Sequence, residues 1–229
     1  MKTIQVEMIH DITCSWCPIG YRNFVTAVEN VREKLAERDT QVSIRFLPFQ
    51  LNPGMSDAGE KIETHLMERY QWSHQQLMDY RKRLIGVAEE TGLTYDFSKR
   101  THYYNTEKAH RLMHFAEAQG KQVALHEALI DAYFTEGVNV SDANQLVTLA
   151  EAVGLNTEGL MDELNAQARS NALKAKYQRV GRQSVKSVPA FIIDGNQFIS
   201  GSNSVVFFER YLSELIVIQQ VPEVVNEVS

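Results

Sequence analysis

Asp11-Ile-Thr-Cys14-Ser-Trp-Cys17-Pro-Ile-Gly20 is the stretch on which the reading of this chain turns. Before it, Thr3 to Ile9 alternates apolar and polar residues, with Ile4, Val6 and Met8 on one face, and this predicts a strand. After it, Phe24, Val28, Val31 and Leu35 recur at three- and four-residue steps, which predicts a helix ending near Glu37. Residues 41–49 then return to period two, with Val42, Ile44 and Phe46 facing one way. The pair of cysteines therefore sits at the strand-to-helix junction of a βαβ unit.

That position gives the cysteines a reason to be reactive. A helix N-terminus presents unpaired N–H groups and the positive end of the macrodipole, and both favour a thiolate. Cys14, at the edge of the helix, is expected to be the nucleophile. Cys17, nearly one turn further on, is expected to be more buried and to act as the resolving thiol. Pro18 suits a first helical turn, where a missing N–H costs nothing. The competing reading is half of a zinc site, completed by His110 and His114 at i, i+4 on a later helix.

Working outward, the pattern becomes helical from about Glu60 and stays so to about Gly181, with no strand signal. Ser73 and Gln76 make a capping box for a helix stopped at Gly92. Further helices are expected over residues 106–119, 122–136, from a cap at Ser141 to Gly154, and as one piece over 158–180. Residues 189–193, the turn Asp194-Gly195 and residues 197–199 read as a hairpin. A last helix carries Phe208, Leu212 and Leu215, and the tail after Gln219 is expected to be loose. The fold class is α/β, with a large all-helical insertion spanning 62–181 between parts 1–61 and 182–229.

Composition narrows the classes. Hydrophobic residues at 44% supply a sizeable core, which excludes a disordered chain. A net charge of −6 offers no general attraction to phosphate backbones or anionic membranes, so neither nucleic acid nor membrane is an expected partner. The only two cysteines of the chain stand together, unlike a disulfide framework. With no signal-peptide pattern or membrane-length apolar run, the chain reads as cytoplasmic.

The segment from Asp11 to Gly20 resembles the active site of the DsbA-like thioredoxin superfamily, most closely its FrnE-like branch. Phe49-Gln-Leu-Asn-Pro53, Asn105-Thr-Glu-Lys-Ala-His110 and Ser187-Val-Pro-Ala-Phe191 are similar to three further motifs of that family, in the same order. The resemblance implies a thioredoxin-like fold with an inserted helical domain and an activity of dithiol–disulfide exchange. The chain departs from the pattern at Ser15, usually proline, and at Ser184 and Ser187, usually glycines. The dipeptide between the cysteines tunes the redox couple, so the family's potential does not carry over.

By resemblance, Val188 and Pro189 form a cis-proline loop beside the cysteines, with the Val188 backbone free to pair with substrate. Pro189 also reads as an ordinary strand-starting proline. Trp16 reads either as an apolar rim for substrate or as a packed core residue. His10 and Asp11 end the first strand where they could tune Cys14. Asn105 and Thr106 are read as helix caps, and His110 as facing the groove between domains or as a plain core residue. The expected partners are a disulfide-containing protein or a small-molecule thiol. No metal and no cofactor is implied, apart from glutathione as a co-substrate. The alternative functions are a glutathione-dependent transferase or isomerase of the kappa-like class and a zinc-binding adaptor. Kappa-like enzymes carry serine in place of the first cysteine, and this chain keeps both.

Overall fold

The computed structural model describes residues 1–218 of the 229, so the expectation for the tail lies outside the described residues. Four strands form one sheet. They are β1 (Lys2–His10), β2 (Thr40–Pro48), β5 (Ala190–Ile193) and β6 (Gln197–Ser200), in the order β2-β1-β5-β6. β1 runs parallel to β2 and antiparallel to β5, which closes on β6 as a hairpin. The hairpin turn places Asp194 and Gly195 at φ 46° and 81°, the left-handed region such a tight connection needs.

The register positions the site. Ile9 pairs with Ala190 and His10 with Pro48, so the chain leaving β1 emerges between Phe49 on one side and Val188-Pro189 on the other. As a central strand, β1 is covered on both faces, and its alternation stops at Val6, beyond which every residue to His10 is buried. Glu7 is the buried charge of that run. Burial works to raise its pKa, but Arg179 and Arg45 hydrogen-bond both carboxylate oxygens and hold it below the usual carboxylate value.

The helix after the cysteines is broken into α1 (Trp16–Asn30) and α2 (Arg32–Glu37). α10 (Val205–Ile218) packs along α1, and Phe24, Phe191 and Phe208 meet there with ring centroids 5.1–5.5 Å apart. Each such burial contributes roughly 1.5–3 kcal/mol.

Between β2 and β5 lie α3 (Ile62–Tyr70), α4 (His74–Glu90), α5 (Glu107–Glu117), α6 (Gln122–Ile130), α7 (Ala143–Ala152), α8 (Leu160–Asn165) and α9 (Asn171–Arg182). The Ser73 capping box on α4 is present in full. Four details differ from the expectations of the sequence. A short ladder of β3 (Glu60–Lys61) with β4 (His102–Tyr103) interrupts the helical segment; two-residue strands carry no detectable period, and this ladder is separate from the main sheet. The helix expected over 158–180 is two helices, α8 and α9, with the chain extended at Ala166 and capped afresh at Ser170. The helix over 122–136 widens into a π turn at Asp131–Thr135, and Asp142, not Ser141, caps α7.

α5, α6 and α9 pack against the edge strand β2. Gln122 of α6 closes that edge: its Oε1 accepts from the Phe46 N–H at 2.9 Å and its Nε2 donates to the Phe46 carbonyl at 3.4 Å. A side-chain amide thus takes the place of a neighbouring strand.

Candidate active site

Residues Asp11 to Ser15 form a tight turn between β1 and α1. The Cys14 N–H donates to the Asp11 carbonyl at 3.1 Å, and the Cys17 N–H donates to the Cys14 carbonyl at 3.2 Å. Both cysteines are free. Both are buried, Cys14 at 6% and Cys17 at 1% exposure, and of the two only Cys14 lines a groove at the surface. Burial, and then the neighbouring Cys14, push the Cys17 thiol well above its ordinary pKa.

Cys14 Sγ donates to the Val188 carbonyl at 3.5 Å, and the Val188–Pro189 peptide bond is cis. Gly20 lets this loop approach α1. A Cβ there would stand 2.8 Å from Pro189 Cγ, closer than side chains come, and 3.1 Å from the Ser202 Cα, a tight contact on the backbone. Cys14 opens onto a groove of about 450 Å³ whose walls include Trp16, Tyr70, Trp72, Tyr80 and Val188. Burial raises the pKa of Tyr80, in the wall facing Trp16, to about 12.

The profile of the DSBA-like thioredoxin domain matches residues 5–213 of the chain, from the first strand to the last helix. The chain belongs to this DsbA-like family. A probable DsbA oxidoreductase from Streptomyces coelicolor superposes with a TM-score of 0.85, at 27% identity over 96% of this chain and 92% of that one. The uncharacterized protein YwbO of Bacillus subtilis is 24% identical over 93% of this chain and 97% of its own length. A cytosolic disulfide reductase, DsbM from Pseudomonas aeruginosa, solved with GSH, shares the fold at a TM-score of 0.61 and 16% identity, covering 93% and 99% of the two chains. The α/β, thioredoxin-like fold with a helical insertion and the DsbA-like recognition are thus borne out, and with them a thiol oxidoreductase family for the cysteine pair.

What supports the turn of this DsbA-like chain comes from the segment between α4 and β4, which the sequence reading passed over. Tyr95 Oη donates to the Ser15 carbonyl at 2.8 Å. Arg100 donates to the Thr13 carbonyl at 3.1 Å and to Ser15 Oγ at 3.2 Å. The Arg100 guanidinium is buried among the rings of Phe97, Tyr103, Tyr133 and Phe134, at 4.5–5.5 Å from their centroids. Among the described residues it has no carboxylate partner, so the aromatic faces and the turn's own oxygens carry its charge. The signal was the density of aromatic residues from Tyr95 to Tyr104, which neither helical nor strand period explains.

Beneath Cys17 lies a layer of histidines. His10 meets His126 at 4.9 Å and His110 at 5.5 Å between ring centroids, and His126 stacks on Phe46 at 4.0 Å. Burial lowers the pKa of His10 well below the usual value, with His126 and His110 adding to the effect; burial also takes His126 to about 3, and both rings are neutral. His110 does not line the groove. Its Nε2 donates to the Phe49 carbonyl at 2.9 Å and lies 3.4 Å from Asp11 Oδ1, while Asp11 Oδ2 accepts from the Leu51 N–H at 2.7 Å. His10, Asp11 and His110 thus tie the end of β1 to the segment after β2. Asn105, expected as a cap, does accept the Glu107 N–H at 2.9 Å, whereas the Thr106 side chain makes no cap bond.

The zinc arrangement is not assembled. Among the described residues no group of three or more His, Cys, Asp or Glu side chains is placed to hold a metal ion, and His114 is engaged by Lys176 at 3.0 Å. No helix is long and apolar enough among the described residues to cross a membrane.

Proposed function

We propose that the protein exchanges disulfides by a two-cysteine route. The Cys14 thiolate attacks one sulfur of a substrate disulfide, forming a mixed disulfide and releasing the other substrate half as a thiolate. Cys17 then loses its proton and attacks Cys14 Sγ, which releases the second thiolate and leaves the Cys14–Cys17 disulfide. Two electrons pass to the substrate, and two equivalents of a small thiol such as glutathione restore the dithiol. The observation that carries this reading is the asymmetry of the pair: Cys14 opens onto a groove against the Val188 carbonyl, while Cys17 is enclosed. In this reading Trp16, Val188 and Pro189 contact substrate, and His110 acts at one remove by holding Asp11. Residues 62–181 act as the inserted helical unit between 1–61 and 182–229, a division supported by the change of periodicity at its ends.

A reducing, cytoplasmic setting with electrons flowing to substrate is the direction we favour. The neighbour described as a cytosolic disulfide reductase supports it, as does the absence of histidine between the cysteines. The test is the pair of serine variants. Cys14→Ser is expected to abolish exchange, since a serine hydroxyl is not ionised near neutral pH. Cys17→Ser is expected to attack once and stall as a mixed disulfide on Cys14, visible by intact mass and released by reductant. Normal turnover by Cys17→Ser would replace the dithiol route with a monothiol, glutathione-type reaction.

A further inference from the structure

Cys17 must lose its proton when it attacks, and the groove above the turn offers no acceptor. The charged walls of that groove are Arg69, Arg83 and Lys186, with no carboxylate or imidazole, and Cys17 does not border it. Cys17 borders a different space. A void of about 10 Å³ lies among Cys17, Asp11, His10 and His126. Three polar atoms of those residues, His10 Nε2, Asp11 Oδ1 and His126 Nδ1, are buried without a hydrogen bond. A polar void the size of one water, with three groups left to satisfy, is the kind of place where a buried water is held. His10 also borders a second void of about 10 Å³, whose other polar walls are His110 and His114 from α5 and Lys176 from α9. His114 and Lys176, 3.0 Å apart between Nδ1 and Nζ, border in turn a cavity of about 510 Å³ that opens at the surface beside α5, α8 and α9. Three spaces thus stand in series between the enclosed thiol and solvent, with His10 as the wall common to the inner two.

A neutral imidazole takes a proton on one nitrogen while it gives one up from the other. His10 is neutral, because burial, with His126 and His110 adding to it, lowers its pKa well below the usual value. It therefore passes a proton on and does not keep one. We propose that the proton of Cys17 leaves by this rear route, through water in the inner void, the imidazole of His10, water in the second void and His114, to the cavity beside α9. The route rests on the dithiol reading above and adds the proton to it. As Cys17 Sγ bonds to Cys14 Sγ, the bond from Cys14 to the substrate sulfur breaks, and its electron pair leaves with the substrate thiolate. The proton of Cys17 goes to the inner water, which gives one to His10. His10 gives its other proton to the second void and ends neutral, in the opposite tautomer. When the disulfide is reduced again, Cys17 leaves as a thiolate, and a proton returning by the same route restores both the thiol and the tautomer.

The experiment reads the two releases from dithiobis-nitrobenzoate, an aromatic disulfide whose thiolate absorbs visible light. Attack by Cys14 releases the first thiolate at a rate set by the reagent concentration, and attack by Cys17 releases the second at a rate independent of it. Around His10 stand Asp11 and Cys17, His126 from α6, His110 and His114 from α5 and Lys176 from α9, and His10 stays neutral over the range tested. The relay supplies its own base, so the second phase of the parent is expected to be flat between about pH 6 and 8. His10→Phe keeps an aromatic edge against Phe46 and His126 and has no lone pair. Its second phase is expected to slow at least about tenfold near neutral pH and to rise about tenfold per pH unit, since hydroxide must then reach Cys17. Its first phase is expected to keep the parent's rate. His114→Phe, at a half-buried position, is expected to slow the second phase a few-fold and leave the first alone, and it decides the matter if His10→Phe does not fold. A second phase slowed equally at every pH marks a displaced sulfur and overturns the route. So does a parent second phase that itself rises tenfold per pH unit, or a His114 variant at the parent's rate, which leaves the proton with Asp11. A parent that never releases the second thiolate overturns the dithiol reading instead.

Discussion

Above the cysteine turn the protein is open, aromatic and cationic; below it, the protein is closed, its imidazoles are packed, and those of His10 and His126 are neutral. Cys14 belongs to the first region and Cys17 to the second, although only two residues separate them. The contrast shows how one turn serves two thiols with opposite needs. An attacking sulfur needs access and a place for its substrate, whereas a resolving sulfur needs only to reach its partner and is protected by enclosure. The underside is built from residues remote in sequence, with Arg100 and Tyr95 holding the turn's oxygens and His10, His110 and His126 filling the space beneath.

The largest expected effect comes from breaking the underside at Arg100. Arg100→Met keeps the length of the side chain but leaves the Thr13 carbonyl and Ser15 Oγ without their donor. An unsatisfied buried acceptor costs about 1–3 kcal/mol, and a shift of the attacking group by about 1 Å lowers a rate on the order of 100-fold. Disulfide exchange is therefore expected to fall much further than the urea midpoint indicates. Arg100→Lys, which keeps the charge but not the fork, should recover stability more than rate. If exchange and stability fell in proportion for both variants, Arg100 would be a packing residue and no part of the comparison.

A smaller effect tests the neutral layer. His126 faces His10 from β1, Tyr21 and Arg22 from α1 and Phe46 from β2, and it shares a small void with Asp11 and Cys17. Its folded pKa of about 3 lies below the usual 6.5, and that of His10 is lowered in the same direction. The unfolded chain therefore takes up protons first as the pH falls. Stability is fully present above about pH 6.5 and declines below it by roughly 1.4 kcal/mol per pH unit for each histidine. Denaturant midpoints between pH 6.5 and 5 lie above the range where Glu7 and Glu107 titrate and report the histidines, including His114, whose pKa burial and Lys176 also lower; the His126 share is read from the variant. His126→Phe removes one proton from the slope and keeps the stack on Phe46. At pH 7 its stability is expected to match or exceed the parent, because the buried His126 Nδ1 has no hydrogen-bond partner. An unchanged slope would show that His126 binds its proton equally in the folded and unfolded chain and is not held neutral by the fold.

These two regions were unequally legible in the sequence. The cysteines, the strand before them and the helix after them follow local rules of period, capping and turn chemistry, although that helix breaks at Val31, whereas the cis-proline loop was legible only through the family resemblance, since local rules read Pro189 equally as a strand-starting proline. Arg100 and Tyr95 reach Ser15 across 85 and 80 residues from a segment without period, so no local rule points to them. Arg69, Tyr70 and Arg83 look in sequence like the solvated faces of two ordinary helices, and Trp72 like part of the link between them. Only the packing of α3 against α4 makes them a wall. His110 shows the converse. Its motif pointed to the groove, but the hydrogen bond to the Phe49 carbonyl draws the ring under the turn.

The smallest expected effect concerns Trp16, which stands on the boundary of the two regions. Its ring walls the groove close enough to Tyr80 on α4 for the indole N–H to ease that phenol's ionisation, so it either shapes the site or merely fixes the first turn of α1. Trp16→Phe keeps most of the apolar area and deletes only the N–H. A full neutral hydrogen bond is worth about 0.5–1.5 kcal/mol, which sets the upper limit on what the lost N–H costs. A purely structural Trp16 would show that loss in the denaturant midpoint and leave the exchange kinetics alone. In a substrate-facing wall, Tyr80 and the rings beyond it lose their anchor, and the change falls on the KM for the disulfide, with the rate at saturation close to the parent's. We expect the second outcome, with KM rising a few-fold, because the ring borders the same open groove as Cys14 while the core on the other side of α1 is filled by Phe24 and Phe208. A midpoint that drops by about 1 kcal/mol with KM unchanged would move Trp16 from the upper region to the lower one.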